Sequence, residues 1–312
     1  MKQLTIIIPA YNEEKNIRPF YEETSKYLTN PEFEYKLFFV NDGSKDATLT
    51  EIKKLAENDK RVRYLSFSRN FGKESAMQAG LEYSRKADLV IIIDCDLQQP
   101  PSLIPEMLKA YNEGYKIVYT RGRSRKGEPK VRTLFANLYY GLYNKYSDRV
   151  LDNGAKDFQL LDRQVVEAIL SLKDNFRFMK GMSAWVGFKR KAIEYDFIPR
   201  KIGKSSWSFK SLFKYGFDGM NQFSNVMMIL PVVSFVLGII MLVVNIVFRI
   251  VYIFSTTSFI LALLLNMLWL LISVMAYGMF YLIYQVRRQT LQRPLYLIEE
   301  TSEEFNYDNP LA

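Results

Sequence analysis

Apolar residues come in five short runs over the first 120 positions, at 4–9, 36–41, 62–68, 89–94 and 117–120. β-branched and aromatic residues dominate them, and most stop at polar residues. Such runs read as buried strands. Between them, residues 13–29, 47–58, 72–85 and 102–112 carry the mixed apolar and polar spacing of amphipathic helices. The alternation predicts an α/β fold with a parallel, doubly wound sheet, whose ligands bind at the carboxyl ends of the strands. Further along, 158–161 and 188–197 are strand-like, with a helix at 163–172 between them. An aromatic amphipathic helix is predicted over 131–146. No short-period repeat is visible, which excludes a solenoid.

The fourth run, Leu89-Val90-Ile91-Ile92-Ile93, ends on Asp94-Cys95-Asp96. On an extended segment residues two apart face the same way, so Asp94 and Asp96 point together, and Gln98 joins them if the chain stays extended. Two carboxylates and an amide oxygen make a hard, oxygen-only set suited to Mg²⁺ or Mn²⁺ carrying a diphosphate. The plainer alternative is that the two acids form a turn before Pro100-Pro101. The other strand ends carry Pro9-Ala10-Tyr11-Asn12-Glu13, Asn41-Asp42-Gly43-Ser44 and Asn70-Phe71-Gly72-Lys73. Carboxylates there can accept hydrogen bonds from a nucleotide. Equally, Asp42-Gly43 makes an ordinary turn and Asp46 a helix N-cap.

Polarity then changes abruptly. From residue 219 to 286 the only charged residue is Arg249, which leaves apolar stretches at 226–248 and about 257–284. At ~1.5 Å per residue each is long enough to cross ~30 Å of hydrocarbon. A helical hairpin buried in a soluble core is the alternative. The flanks are basic, with Lys201, Lys204, Lys210 and Lys214 before the first stretch and Arg287, Arg288 and Arg293 after the second. Both long ends are therefore expected in the cytoplasm. Aromatic and charged residues interleave over 207–223, which predicts an interfacial helix. The expected division is a catalytic domain at 1–200, a basic loop and interfacial helix at 201–225, two spans at 226–286 and a tail at 287–312. That tail, rich in Glu299, Glu300, Glu303 and Glu304, is expected to be a loosely ordered, solvated end.

The net charge of +9 sits mainly in 121–132 and 189–214. An anionic membrane surface or a phosphate-bearing lipid explains it better than nucleic acid, because the apolar stretches already put these residues at a bilayer. The chain has no histidine, so its chemistry must run on carboxylates, Lys, Arg, Tyr or backbone groups. Its single cysteine excludes an internal disulfide and suits a reducing compartment. The N-terminal residues carry no basic-then-apolar leader of signal-peptide length.

Taken in order and spacing, these strand ends resemble glycosyltransferase family 2, the inverting enzymes of GT-A (Rossmann-like, nucleotide-sugar-binding) fold. Asp157-Phe158-Gln159-Leu160-Leu161, Arg200-Lys201-Ile202-Gly203-Lys204-Ser205 and the two C-terminal apolar stretches extend the likeness over about residues 3–290. Within the family the chain is most similar to the polyprenyl-phosphate glycosyltransferases, of the dolichyl-phosphate mannose synthase and bactoprenol glucosyltransferase kinds. The resemblance implies a UDP-sugar donor and a polyprenyl phosphate acceptor at the cytoplasmic face of a bacterial cell membrane, with glucose or N-acetylglucosamine transferred to give a β-linked product for envelope glycosylation. Pro9, Tyr11, Asn12, Glu13, Asp42, Lys73 and Asp94 would hold the nucleotide sugar, with Arg200 and Lys204 closing over its diphosphate. Asp94, Asp96 and Gln98 would ligate Mg²⁺ or Mn²⁺. Asp157 matches the position of the family's catalytic base, beside Asp94 and Asp96. The reading here is that it orients the acceptor or stabilises positive charge on the sugar as much as it takes a proton. Arg121, Arg123 and Arg132 are the natural ligands for the lipid phosphate.

One departure is Ser206, where many relatives carry lysine in a Gly-x-Ser-Lys-Trp/Tyr stretch. The phosphate contact expected there would fall to Lys204 or Arg200. Two rival readings remain: a polysaccharide synthase of the same family, which normally needs more spans and a Gln-x-x-Arg-Trp stretch, and a non-catalytic membrane scaffold for a lipid-sugar flippase. The motifs do not report which sugar or polyprenol is used, and they leave a homo-oligomer open.

Overall fold

A computed structural model describes residues 1–123, 139–145, 150–174, 177–196, 216–220, 257–290 and 293–302, with a few isolated positions between them. The core is one eight-stranded sheet. Its first half follows the expected alternation. The elements are β1 (Lys2–Ala10), α1 (Glu14–Ser25), β2 (Phe33–Asn41), α2 (Thr48–Asn58), β3 (Val62–Phe67), α3 (Lys73–Tyr83), β4 (Leu89–Ile92) and, after one 3₁₀ turn, α4 (Ile104–Asn112). β1, β2, β3 and β4 run parallel.

Alternation along each strand sends side chains to two separate cores. Leu4, Ile6 and Ile8 of β1 pack with Ile17 and Phe20 of α1, Ile52 of α2 and Met107 of α4. Ile7 faces the other way, among Ala76, Met77 and Ala79 of α3. Contact there is close enough that a Cβ on Gly80 would lie 2.3 Å from Ile7 Cγ2. A larger residue at Gly80 would push α3 off the sheet.

The sheet departs from the expected all-parallel form in its second half. β5 (Ile117–Gly122) does not lie beside β4; β6 (Ala155–Asp162) inserts between them, antiparallel to both. α5 (Arg163–Ser171) and α6 (Met179–Trp185) follow, and β7 (Arg190–Tyr195) adds parallel to β5. A strand buried on both faces has the same apolar run whichever way it points, so sequence pattern alone does not report the reversal.

A second correction concerns the tail. Residues after Pro294 are not a solvated end up to Ser302: Ile298–Thr301 form β8, antiparallel to β3 at the sheet edge. Tyr296 stacks on Phe67 with ring centroids 4.8 Å apart, and Glu300 bonds both Lys53 and the Tyr64 hydroxyl. Residues 303–312 lie outside the described part.

The second apolar stretch is one helix of 34 residues, α7 (Thr257–Thr290). Its window Met267–Tyr284 has a mean hydropathy of 1.8 and none of it is buried, so by length and composition it can cross a membrane. Trp269, Tyr277 and Phe280 are each about 70% exposed, which removes the buried-hairpin alternative for this stretch. The first stretch, 226–248, and the basic loop lie largely outside the described residues. Within 207–223, residues 216–220 and Phe223 are helical, and so are 137 and 139–145 within 131–146.

Candidate functional site

Strand register assembles the site. Ala10 pairs with Asn41 and Asn41 with Ser66, so the first three strands end level with one another. Ile7 pairs with Ile92, which brings Asp94 to the same edge. On the other side of β4, Ile92 pairs with Gln159 in antiparallel register. Continuing that register by two residues sets Asp157 opposite Asp94. Two carboxylates facing each other across strands repel. Lys73, the first residue of α3, stands between them: its Nζ is 2.6 Å from Asp94 Oδ1 and 2.6 Å from Asp157 Oδ2.

A second lysine completes the arrangement. Asp157 Oδ1 is buried without a hydrogen bond and has Lys180 Nζ at 3.4 Å, an ion pair. Adjacent residues of α3 position both cations. Glu74 accepts from the Met179 amide at 2.9 Å and so pins the start of α6, which carries Lys180. Burial alone would raise the Asp157 pKa, but Lys180 and Lys73 outweigh it and hold the carboxyl well below its usual range. Burial alone would lower the pKa of both lysines. Asp157 and Asp94 raise Lys73 instead, and Asp157 raises Lys180. All three groups stay charged, and Asp157 is a poor proton acceptor.

Asp94 and Asp96 do not form an extended series with Gln98. β4 ends at Ile92, the chain turns over Cys95 and Asp96, and Leu97 takes a left-handed conformation with φ of 56°. The Gln98 amide donates back to Asp96 Oδ1 at 3.1 Å. It is Gln99 whose side chain reaches Asp94: its Nε2 donates to Oδ2 at 3.4 Å, while its Oε1 is buried with no hydrogen-bond partner. Cys95 is 2% exposed and packs in the core. Tyr195, at the end of β7, has its pKa raised by burial first and then by the charges of Asp96 and Asp94, which it faces.

Asp42 organises the other side. It is 3% exposed and accepts from Phe71 N at 2.6 Å, Gly72 N at 2.9 Å and Asn70 Nδ2 at 3.0 Å. Burial pushes its pKa up to about 6 against the lowering effect of those amides. Gly43 makes this approach possible: its φ is 62°, and a Cβ there would lie 2.2 Å from the backbone of Arg69. The loop after β1 is tied to the loop after β2, with Asn12 N donating to Ser44 Oγ at 2.9 Å and Glu13 N to Thr48 Oγ1 at 2.8 Å. Pro9 is buried beneath Cys95, and Tyr11 is half-buried at the rim.

Arg121 pairs with Glu194, and Arg123 has Glu194 and Asp196 each at 3.8 Å, so both arginines are held by acids of β7 and its end. Arg132, Arg200 and Lys204 lie outside the described residues. Reading the sequence missed Lys180, Gln99 and Glu194. Lys180 had a signal, a cation set between Phe178, Met179 and Met182; Gln99 is one of a doublet whose members only the turn at Leu97 separates.

The implied divalent cation fits the donor set. Asp94, Asp96 and the orphaned Gln99 oxygen are hard oxygen donors on one turn. Among the described residues no group of three or more His, Cys, Asp or Glu is placed to hold a metal ion by itself. Few protein carboxylates are what a cation needs when a diphosphate completes its coordination.

Comparison with known proteins agrees with this architecture. The profile of Glycosyl transferase family 2 matches residues 5–170. CsbB of Bacillus subtilis (strain 168), a chain named as a glycosyltransferase, is 47% identical over 227 residues, which are 72% of this chain and 68% of that one. The bactoprenol glucosyl transferase of Shigella phage SfV is 36% identical over 222 residues, 71% of this chain and 72% of its own length. A prophage bactoprenol glucosyl transferase homolog of Escherichia coli (strain K12) is 33% identical over 244 residues, 76% and 79% of the two chains.

Proposed function

Because the chain belongs to glycosyl transferase family 2, we propose that this hexosyltransferase moves a sugar from a UDP-sugar to a polyprenyl phosphate at the cytoplasmic face of a membrane. The observation that carries the reading is the bridge from Lys73 to Asp94 and Asp157 at the carboxyl edge of the sheet. It makes a charged, largely buried rim where an anionic donor and an anionic acceptor can meet without a histidine base. The names of the relatives, two of them bactoprenol glucosyl transferases or homologs, support the lipid acceptor.

The donor nucleoside lies over the loops at Pro9–Glu13 and Asp42, whose mutual hydrogen bonds stiffen that floor. Asp94 and Asp96, with the Gln99 or Gln98 amide oxygen, would hold Mg²⁺ or Mn²⁺. When bound, such a cation offsets the charge that builds on the departing diphosphate. Lys73 sits beside the same acids and supplies a fixed positive charge to the diphosphate. Arg200 and Lys204, which follow β7 in the sequence, close over it and exclude water.

The acceptor is a phosphate monoester, anionic at neutral pH, and needs little proton removal before it attacks the anomeric carbon. Asp157 has both lysines as partners and stays ionised. Its role is therefore to orient those cations and to stabilise the positive charge that grows on the sugar ring. Lys180, on the far side of Asp157, draws the incoming phosphate toward the site. Arg121, Arg123 and Arg132 bind that phosphate at the rim, Arg121 and Arg123 exchanging acid partners for the stronger bidentate contact. Attack opposite the leaving group inverts the centre and gives a β-linked lipid from an α-linked donor.

The apolar stretch 226–248, read from its sequence, and the helix α7 anchor the enzyme with both long ends in the cytoplasm. The deciding experiment incubates the purified chain with undecaprenyl phosphate and a panel of UDP-sugars and weighs the lipid product. A polyprenyl phosphate heavier by one hexose or N-acetylhexosamine is expected. Release of UDP and free sugar with no change in the lipid would overturn the acceptor.

A further inference from the structure

The C-terminal end of α7 meets the catalytic domain at a cleft of about 550 Å³, whose lining includes Arg69, Phe71, Tyr284, Arg287, Arg293 and Pro294. Three guanidinium groups line it and no carboxylate does. Arg69 stacks on Phe71, 3.9 Å from the ring centroid, and donates to the Asn70 carbonyl at 3.0 Å, so its position is fixed. Among the described residues Arg287 and Arg293 have no acidic partner, unlike Arg121 and Arg123. Concentrating positive charge without compensation is unfavourable unless an anion joins it. The cleft's depth along the helix identifies the anion. The apolar window of α7 closes at Tyr284, Arg287 follows less than one turn later, and Arg293 lies just beyond the helix end. An aromatic followed by arginines marks the level of lipid headgroups.

We propose that this cleft binds the phosphate of an anionic membrane lipid, with Arg287 and Arg293 as its ligands and Arg69 as the contact from the catalytic domain. The site is distinct from the Lys73–Asp157 rim: Lys73, Asp94 and Asp157 do not line it, and the Phe71 and Gly72 amides beside it donate to Asp42. A lipid there clamps the loop after β3 to the membrane helix, which orients the catalytic edge toward the bilayer that delivers the acceptor. Phosphate diesters with net negative charge are the chemical class; a zwitterionic headgroup carries its own cation into an already cationic cleft and is disfavoured. The inference rests on the proposed membrane placement of α7.

The test uses the full chain in detergent, with native mass spectrometry at matched concentrations of phosphatidylglycerol, phosphatidylcholine or inorganic phosphate. Wild type should retain phosphatidylglycerol at a concentration at least tenfold lower than the Arg287→Gln/Arg293→Gln double variant, and should prefer it to phosphatidylcholine. The Arg287→Lys/Arg293→Lys variant keeps the charge and should retain most of the binding. UDP binding, measured on the same samples, should not change, which certifies folding. Equal lipid retention by wild type and the Gln variant overturns the proposal, and so does displacement of the lipid by equimolar inorganic phosphate, which would mark a free-phosphate site. Alkaline extraction of membranes tests α7 separately: a chain released by it refutes the membrane placement, whatever the lipid binding.

Discussion

Lys73 Nζ donates to Asp157 Oδ2 at 2.6 Å, and the same ammonium reaches Asp94 Oδ1 at 2.6 Å. It is the charge that lets two acids on neighbouring strands stand at one edge. Lys73→Met should therefore cost transfer at least a hundredfold, ~2.7 kcal/mol of barrier, because Asp94 and Asp157 then repel each other. Lys73→Arg should recover part of the loss. Initial rates at saturating donor decide it: a Met variant within tenfold of wild type would show that the bridge is not part of the working site.

Asp96→Ala should abolish transfer in a protein that stays folded and membrane-bound. Asp96 is an acid of the turn that would hold the divalent cation, and nothing else there replaces its oxygen. Retention of more than about a tenth of the activity, a loss below ~1.4 kcal/mol, would sink that assignment. Rates titrated against Mg²⁺ and Mn²⁺ supply the second readout.

Arg123→Ala and Arg132→Ala should weaken use of the polyprenyl phosphate tenfold or more and leave donor affinity within a few-fold. Charge-assisted hydrogen bonds to phosphate contribute ~1.5–3 kcal/mol each. Calorimetry with UDP-sugar and rates against acceptor separate the two effects. Loss of donor binding with normal acceptor dependence would move the basic arm to the nucleotide site.

Asp42 predicts a pH dependence of stability. Its folded pKa is pushed up to about 6 by burial, against 3.8 in the unfolded chain. Between about pH 4 and pH 6 the folded state keeps a proton that the unfolded state has released, so this group makes stability fall as pH rises through that window. A shift of about two units corresponds to ~3 kcal/mol at most. Asp42→Asn removes the titration and keeps one oxygen for the Phe71 and Gly72 amides. The stability of the variant relative to wild type should therefore rise from pH 4 to pH 6 and level off above 7. Denaturant melts at each pH check this; a constant difference would refute it.

Tyr296→Ala should destabilise the catalytic domain by about 1–2 kcal/mol, the loss of a half-buried aromatic and its stacking partner Phe67. Because Leu297 accepts from the Ser68 amide at 3.0 Å, loosening β8 also loosens the loop that surrounds Asp42. UDP affinity should fall by a smaller factor than stability implies. A thermal melt matching wild type would mean that the tail merely rests on the sheet.

The sequence by itself determined the α/β class, the first four strands with the helices between them, and the strand ends that carry Asp42 and Asp94. Those features are local: a buried run needs apolar side chains, a helix needs its period, and a strand end is marked by where both stop. The apolar length of α7 was equally legible, since spanning depends on composition. Tertiary structure alone decided the reversed β6, because an apolar strand buried on both faces carries no sign of its direction. That reversal is what sets Asp157 opposite Asp94. It also recruited Lys180 through Glu74, replaced Gln98 by Gln99 beside Asp94 through one left-handed residue at Leu97, and turned an acidic tail into β8. Each of these joins residues far apart in the chain or hangs on a single backbone angle, and pairing across such distances is settled only when the whole sheet closes.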